Sequence, residues 1–249
     1  MPEIVKQLGL IGKPLSHSFS KAYFIKKFQL QGISGFQYHL YELQSIDEFL
    51  PLLKKFPNLI GLNVTIPYKR EVIPFMHELS KEAQTIGAVN VIRIVSGKLL
   101  GYNSDYYGFQ ASLFNWLPVE WKGKALILGT GGASLAVIAV LQDRQIPFKL
   151  VSRHPGPDRI TYRQAYQEKL IKTHKLIVNS TPLGMHPNIK TAPDLDYDDI
   201  GTDHYLFDLV YNPETTSFMA KGLKRGAQVK NGLEMLELQA EKSWEIWTG

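Results

Sequence analysis

The chain has 249 residues, 44% of them apolar and 20% charged, with a net charge of +5. That length buries one large core or two modest ones, and the composition is that of a globular chain rather than a disordered one. The mild positive charge favours anionic small molecules, and no basic run is interleaved with aromatics as a nucleic-acid surface requires.

The opening stretch MPEIVKQLGLIGKPL lacks a long apolar core behind a basic start, so it does not read as a signal peptide. Within it, LGLIG is a buried-strand run closed by glycine. From Ser18, SFSKAYFIKKFQLQG sets Tyr23, Phe24 and Phe28 on a helical stripe that ends at Gly32. FQYHLYEL is strand-like. SIDEFLPLLKKF predicts a helix opened by a capping box, with Ser45 and Glu48 three apart. LIGLNVTIP is the strongest strand former of this half, and AVNVIRIVSGKLLGYN predicts two strands joined by a tight Ser96–Gly97 turn. SDYYGFQASLFNWL reads as a connecting helix. Beyond it, GKALILGTGGASLAVIAVLQDRQ is strand, glycine turn and helix. FKLVSR, KLIVNST and HYLFDLVY are further strands with helical stretches between them, and GLEMLELQAEKSWEIW is a long amphipathic helix.

Strands alternating with helices predict parallel sheets covered on both faces, hence an α/β fold, here in two domains meeting near Asn103–Asp105. No stretch approaches the roughly 20 apolar residues that span a bilayer. With no cysteine there are no disulfides and no thiolate chemistry, and the seven scattered histidines form no H-E-x-x-H pair, so no metal site is expected. A soluble, cytoplasmic chain is the expectation.

Three places carry candidate chemistry. In LILGTGGAS, Gly129 and Gly131 stand right after an apolar strand and right before a helix, the context of a dinucleotide-binding turn. One glycine permits the turn, the next admits a pyrophosphate, and the helix start offers free N–H groups. Ser134 replaces the third glycine of that pattern. The following strand ends in Ser152 and Arg153 without the carboxylate that binds an unphosphorylated ribose, and arginine suits a 2′-phosphate, so NADP is expected over NAD. The other reading of Arg153 is an ordinary surface residue. Near the N-terminus, Ser18 and Ser20 can cap a helix or hold a carboxylate, and His17 is assigned no role. Lys69 follows the carboxyl end of a strand, where ligand crevices of open sheets lie, and Asp105 stands where the chain passes between domains. Facing one cleft, they would form a pair suited to moving a proton during ketone reduction; otherwise Lys69 is a solvated loop residue.

The motifs in order resemble the shikimate dehydrogenase family, which interconverts 3-dehydroshikimate and shikimate with a nicotinamide cofactor. GKPLSHSFS is similar to its first substrate motif and NVTIPYK to its catalytic-lysine motif. GAVN, GYNSDYYG, GTGGAS, NSTPLGM, DLVYNPETT and NGLEMLELQA follow in the family order, so the resemblance runs nearly end to end. It implies a substrate-binding and catalytic domain over residues 1–103, a Rossmann-like NADP domain over 104–231, and a C-terminal helix, about 232–249, packed back onto the first. It implies that Ser18, Ser20 and Tyr211 hold the substrate carboxylate, that Asn63, Thr65, Asn90 and Gln239 bind ring hydroxyls or line the pocket, and that Lys69 and Asp105 are catalytic. Gly129, Thr130, Gly131, Gly132, Ala133, Ser152, Arg153 and Thr181 would hold the cofactor, with Gly232 and Met235 near the nicotinamide. The implied partner is a small-molecule substrate, the chain being a monomer or homodimer.

The chain departs from the family pattern in three places. Lys21 stands where proline is usual, NSDYYG puts bulky Tyr106 beside the acid, and SRHPGPDR replaces the usual Asn-Arg-Thr, leaving Arg159 as the nearby second basic residue. Rival readings are a quinate-preferring or NAD-using relative and a non-catalytic ligand sensor on the same fold.

Overall fold

The computed structural model describes residues 5–16 and 18–249, so His17 and the first four residues of the N-terminal stretch lie outside it. The chain divides into two compact units. One runs up to Ser104 and takes up Gln239–Gly249, and the other is Asp105–Leu238.

The first unit contains β1 (Lys6–Gly12), α1 (Phe19–Leu30), β2 (Phe36–Glu42), α2 (Phe49–Lys55), β3 (Leu59–Val64), β4 (Glu78–Leu79), α3 (Lys81–Ile86), β5 (Val91–Val95) and β6 (Lys98–Tyr102). Its sheet has the order β2-β1-β3-β5-β6-β4. β1 is parallel to β2 and β3, but β5 is antiparallel to both β3 and β6. The sheet is therefore mixed, parallel at β1–β3 and antiparallel through the expected β5–β6 turn. Ser96 and Gly97 both take positive φ, 49° and 79°, as a two-residue hairpin turn demands, and that turn forces β5 and β6 to run oppositely.

The second unit contains most of α4 (Ser104–Phe114), then β7 (Ala125–Leu128), α5 (Gly132–Asp143), β8 (Phe148–Ser152), β9 (Ile160–Thr161), α6 (Tyr162–Gln167), β10 (Leu176–Asn179), β11 (Tyr205–Asp208), α7 (Ser217–Leu223), β12 (Gln228–Lys230) and the start of α8 (Leu233–Thr248). Every pair in its sheet, ordered β12-β11-β10-β7-β8-β9, is parallel.

Period-2 alternation explains how each sheet is covered. In β3, Leu62 and Val64 join Ile11, Phe49, Val72 and Ile92 in one buried cluster. Leu8 and Leu10 face the other way, into a cluster with Phe24 of α1 and Ala240, Ile246 and Trp247 of α8. In the second sheet Leu126, Ile177 and Leu206 pack with Ala165 of α6 and Phe218 of α7. Phe207 points to the opposite face, its ring 5.3 Å from that of Phe109 on α4.

The capping box forms differently from expectation. Ser45 Oγ accepts from Asp47 N at 3.2 Å, and Glu48 reaches back to Gln44 N at 3.0 Å rather than to Ser45. A single 3-10 turn, Ile46–Glu48, intervenes before α2 and shifts the pairing by one residue. Among the described residues no helix is long and apolar enough to cross a membrane, and no group of three or more His, Asp or Glu could hold a metal ion.

Candidate active site

Thr65 continues the line of β3, its N–H donating to Ile11 O at 2.9 Å. Tyr68 then turns inward. It is 2% exposed, and its hydroxyl donates to Leu43 O at 2.7 Å. Val89 N donates to the Lys69 carbonyl at 2.7 Å. Lys69 thus stands half-buried on a backbone held by hydrogen bonds on both sides. Asp105 lies in the first turn of α4, also half-buried. Lys69 belongs to the first unit and Asp105 to the second.

The first unit joins four of the expected substrate residues through a buried polar network. Tyr38 OH donates to Asn63 Oδ1 at 2.8 Å, and Asn63 Nδ2 donates to Ser243 Oγ at 3.0 Å. Asn90 Nδ2 donates to Ser104 Oγ at 3.1 Å while Ser104 N donates back to Asn90 Oδ1 at 2.6 Å. Ser104 Oγ also reaches Gln239 Oε1 at 3.3 Å. Burial drives the Tyr38 phenol well above its ordinary range, and a hydrogen bond from Ser20 opposes that push. The network fixes which way each buried amide points, because a flipped amide would leave a neighbour unpaired. Tyr38, Ser104 and Ser243 were not legible as part of it, since each comes from a distant part of the chain.

Ser18 occupies the N-cap position of α1 with extended φ/ψ of −69° and 123°, yet its side chain makes no capping bond. Its Oγ is buried without a hydrogen-bond partner. A buried hydroxyl left so is costly. Thr65 is half-buried, its methyl lying where a side chain on Gly12 would go. Tyr211, the remaining candidate for the carboxylate, belongs to the second unit, on the loop after β11. That loop is held by Asp208, whose Oδ1 accepts from Val210 N at 3.0 Å.

In the second unit the glycine turn has the form its sequence predicts. Gly129 takes φ +104°, and a side chain there would meet Thr181 Cγ2 at 2.8 Å. At Gly131 and Gly132 an added Cβ would meet nothing within 4 Å, so the turn faces open space at the head of α5. Ser134, in place of the third glycine, is buried and donates to Gly131 O at 2.7 Å, closing the turn on itself. Thr130 lines the same opening, and Ala133 lies in the first turn of α5. Across it, Asn179 Oδ1 accepts from both Thr181 N at 3.1 Å and Thr181 Oγ1 at 2.6 Å, which sets that loop.

These groups border a cavity of about 830 Å³, lined by Gly129–Gly131, Ser152, Arg153, His154, Thr161, Tyr162, Arg163, Ser180–Leu183, Ala192 and Asp194. The lining suits an anionic nucleotide: open backbone at a helix start, a buried serine at the end of β8, and two guanidinium groups. The second guanidinium is Arg163 of α6. Arg159, the nearby basic residue of the sequence reading, folds over Gly156 and is not part of the lining. Arg163 escaped notice because a short bridge, Gly156 to Arg159, and β9 intervene before α6 swings it back to the cavity. Gly232 and Met235 stand at the start of α8. At Gly232 any side chain would overlap the Leu209 carbonyl, so glycine is required there by backbone approach alone. Met235 is 9% exposed. Tyr106 turns into its own unit, donating to Asp143 Oδ2 at 2.7 Å.

Comparison with known proteins gives a consistent result. Residues 10–92 match the family model of the shikimate dehydrogenase substrate binding domain. The NADP(+) shikimate dehydrogenase of Clostridium beijerinckii is 39% identical over 251 residues, covering 96% of this chain and 90% of that protein. That of Carboxydothermus hydrogenoformans is 37% identical, covering 98% of this chain and 92% of its own. Among solved structures, the shikimate dehydrogenase of Thermus thermophilus in complex with NADP(H) and shikimate aligns with a TM-score of 0.84 at 30% identity, covering 98% of this chain and 94% of that one.

Proposed function

From the premise that the chain belongs to the shikimate dehydrogenase family, we propose that it is an NADP-dependent shikimate dehydrogenase, transferring hydride reversibly between shikimate and NADP. The observation that carries this reading is the cofactor cavity: a glycine turn at a helix start whose neighbouring strand, β8, ends in Ser152–Arg153 and carries no acid at the ribose position. Arg153 and Arg163 would hold the 2′-phosphate, and the N–H groups at Gly131 and Gly132 the pyrophosphate.

When bound, the cofactor accepts or supplies the hydride. The chain's own residues manage the proton and the alignment. Ser18, Ser20 and Tyr211 would hold the substrate carboxylate. Asn63, Thr65, Asn90 and Gln239 would bind ring hydroxyls or line the pocket. Lys69 and Asp105 would form the acid–base pair at the reacting oxygen. In oxidation they take up the hydroxyl proton as the carbon loses hydride, and in reduction they return a proton to the nascent alkoxide.

The test is a steady-state assay with shikimate, following NADPH formation, with NAD and quinate run in parallel. Lys69→Ala is expected to lose about 100- to 10,000-fold in turnover with little change in shikimate affinity. An unchanged rate removes Lys69 from the chemistry. Shikimate binding with no reduction of NADP would instead identify a ligand sensor.

A further inference from the structure

The cofactor cavity contains a charge that phosphate binding does not explain. Asp194, on the segment after β10, lines it together with Arg153 and Arg163. Among the described residues Asp194 enters no ion pair with either arginine. A carboxylate only accepts hydrogen bonds, and it repels a phosphate.

Its position narrows what it can face. A second cavity, about 400 Å³, shares Tyr162, Arg163 and Asp194 with the first and contains none of the glycine-turn residues. Asp194 therefore borders both cavities, whereas Gly129, Thr130 and Gly131 border only the first. Tyr162 feels both charges. Burial lifts its phenol to about 12, Arg153 pulls it down and Asp194 pushes it up.

An NADP molecule laid with its pyrophosphate on the glycine turn and its 2′-phosphate at the end of β8 offers two donors at this end. By its covalent connectivity the ribose 3′-hydroxyl lies between the 2′-phosphate and the pyrophosphate-bearing carbon, whereas the 6-amino group is on the edge of adenine farthest from the ribose. We propose that Asp194 accepts a hydrogen bond from the adenine 6-amino group and so selects adenine over bases bearing a carbonyl there. This rests on the NADP reading above. A 6-carbonyl would set oxygen against a carboxylate, and a site built to accept from a donor rejects the ligand that lacks it.

Calorimetric titration of the intact protein with NADP and with its hypoxanthine counterpart, in which a carbonyl replaces the 6-amino group, tests the assignment. The unmodified protein is expected to bind the hypoxanthine form about 10-fold or more weakly. Asp194→Ala should weaken NADP and leave the hypoxanthine form nearly unchanged, bringing the two within about twofold. Asp194→Asn, which can donate as well as accept, should also relax the preference. Equal affinities in the unmodified protein overturn the proposal. So does a preference that survives Asp194→Ala, or a variant that alters only the choice between NADP and NAD. The titration reads binding, so a protein that binds NADP but does not oxidise shikimate would refute the activity and leave the base preference measurable.

Discussion

Asp208 has no exposed surface, and its carboxylate accepts from Asn179 Nδ2 at 2.9 Å, Val210 N at 3.0 Å and Thr216 Oγ1 at 2.6 Å. Burial pushes its pKa up to about 6, outweighing the three hydrogen bonds that pull it down. The folded state thus keeps a proton that the unfolded chain, near the ordinary value of 3.8, has released. This contribution to stability is full below about pH 4 and is lost as pH rises through about 6, at about 1.4 kcal/mol per unit. Asp208→Asn removes it. In urea titrations the stability of the unmodified protein relative to this variant should fall by roughly 2–3 kcal/mol between about pH 4 and about pH 7. A constant difference would mean that the carboxylate is not shifted. At this scale the sequence showed which residue types were present, such as Lys69, Arg153 and the glycines. It could not show that Ser18 lacks a capping bond or that Arg163, not Arg159, reaches the cavity, because both depend on where intervening turns send the chain.

Helix α8 approaches the backbone of strand β3 closely at Gly61. Gly61 faces the Trp247 indole, whose Nε1 donates to Ile92 O at 3.0 Å, and a methyl at Gly61 would overlap that ring. Gly61→Ala is therefore expected to cost about 1–3 kcal/mol in denaturant melts. The penalty should shrink when Trp247 is first replaced by alanine, since the two positions share one space. An undiminished penalty would place the strain elsewhere. Element identities were the most legible level. The period of the apolar residues marked α1, α5, α8 and the long strands, and the Ser96–Gly97 turn marked the hairpin. The very short strands β4 and β9 were not, because two-residue pairings carry no period to read.

At the scale of the molecule, the first unit is not contiguous in sequence. Ala240, Ile246 and Trp247 complete its core, and Gln239 and Ser243 complete its polar network. A chain ended after Leu238 should lose cooperative folding of the first unit while the second persists, since the second unit's own cluster draws on none of the removed residues. Limited proteolysis followed by mass mapping reads this directly: cleavage concentrated before Ser104 with a surviving 105–238 fragment supports it, and uniform resistance refutes it.

What the sequence by itself determined was the local part: an α/β chain, the strand–glycine–helix turn, the arginine at the end of β8, and the ordered motifs around Lys69 and Asp105. These are legible because backbone propensity, side-chain period and turn chemistry act between near neighbours in the chain. Tertiary structure alone decided the antiparallel pairing of β5 with β3, the amide network built from Asn63, Asn90, Ser104, Gln239 and Ser243, and the meeting of Arg163 and Asp194 in one cavity. Each depends on residues far apart in sequence being brought together by burial of apolar faces, and burial is a property of the whole folded surface rather than of any segment.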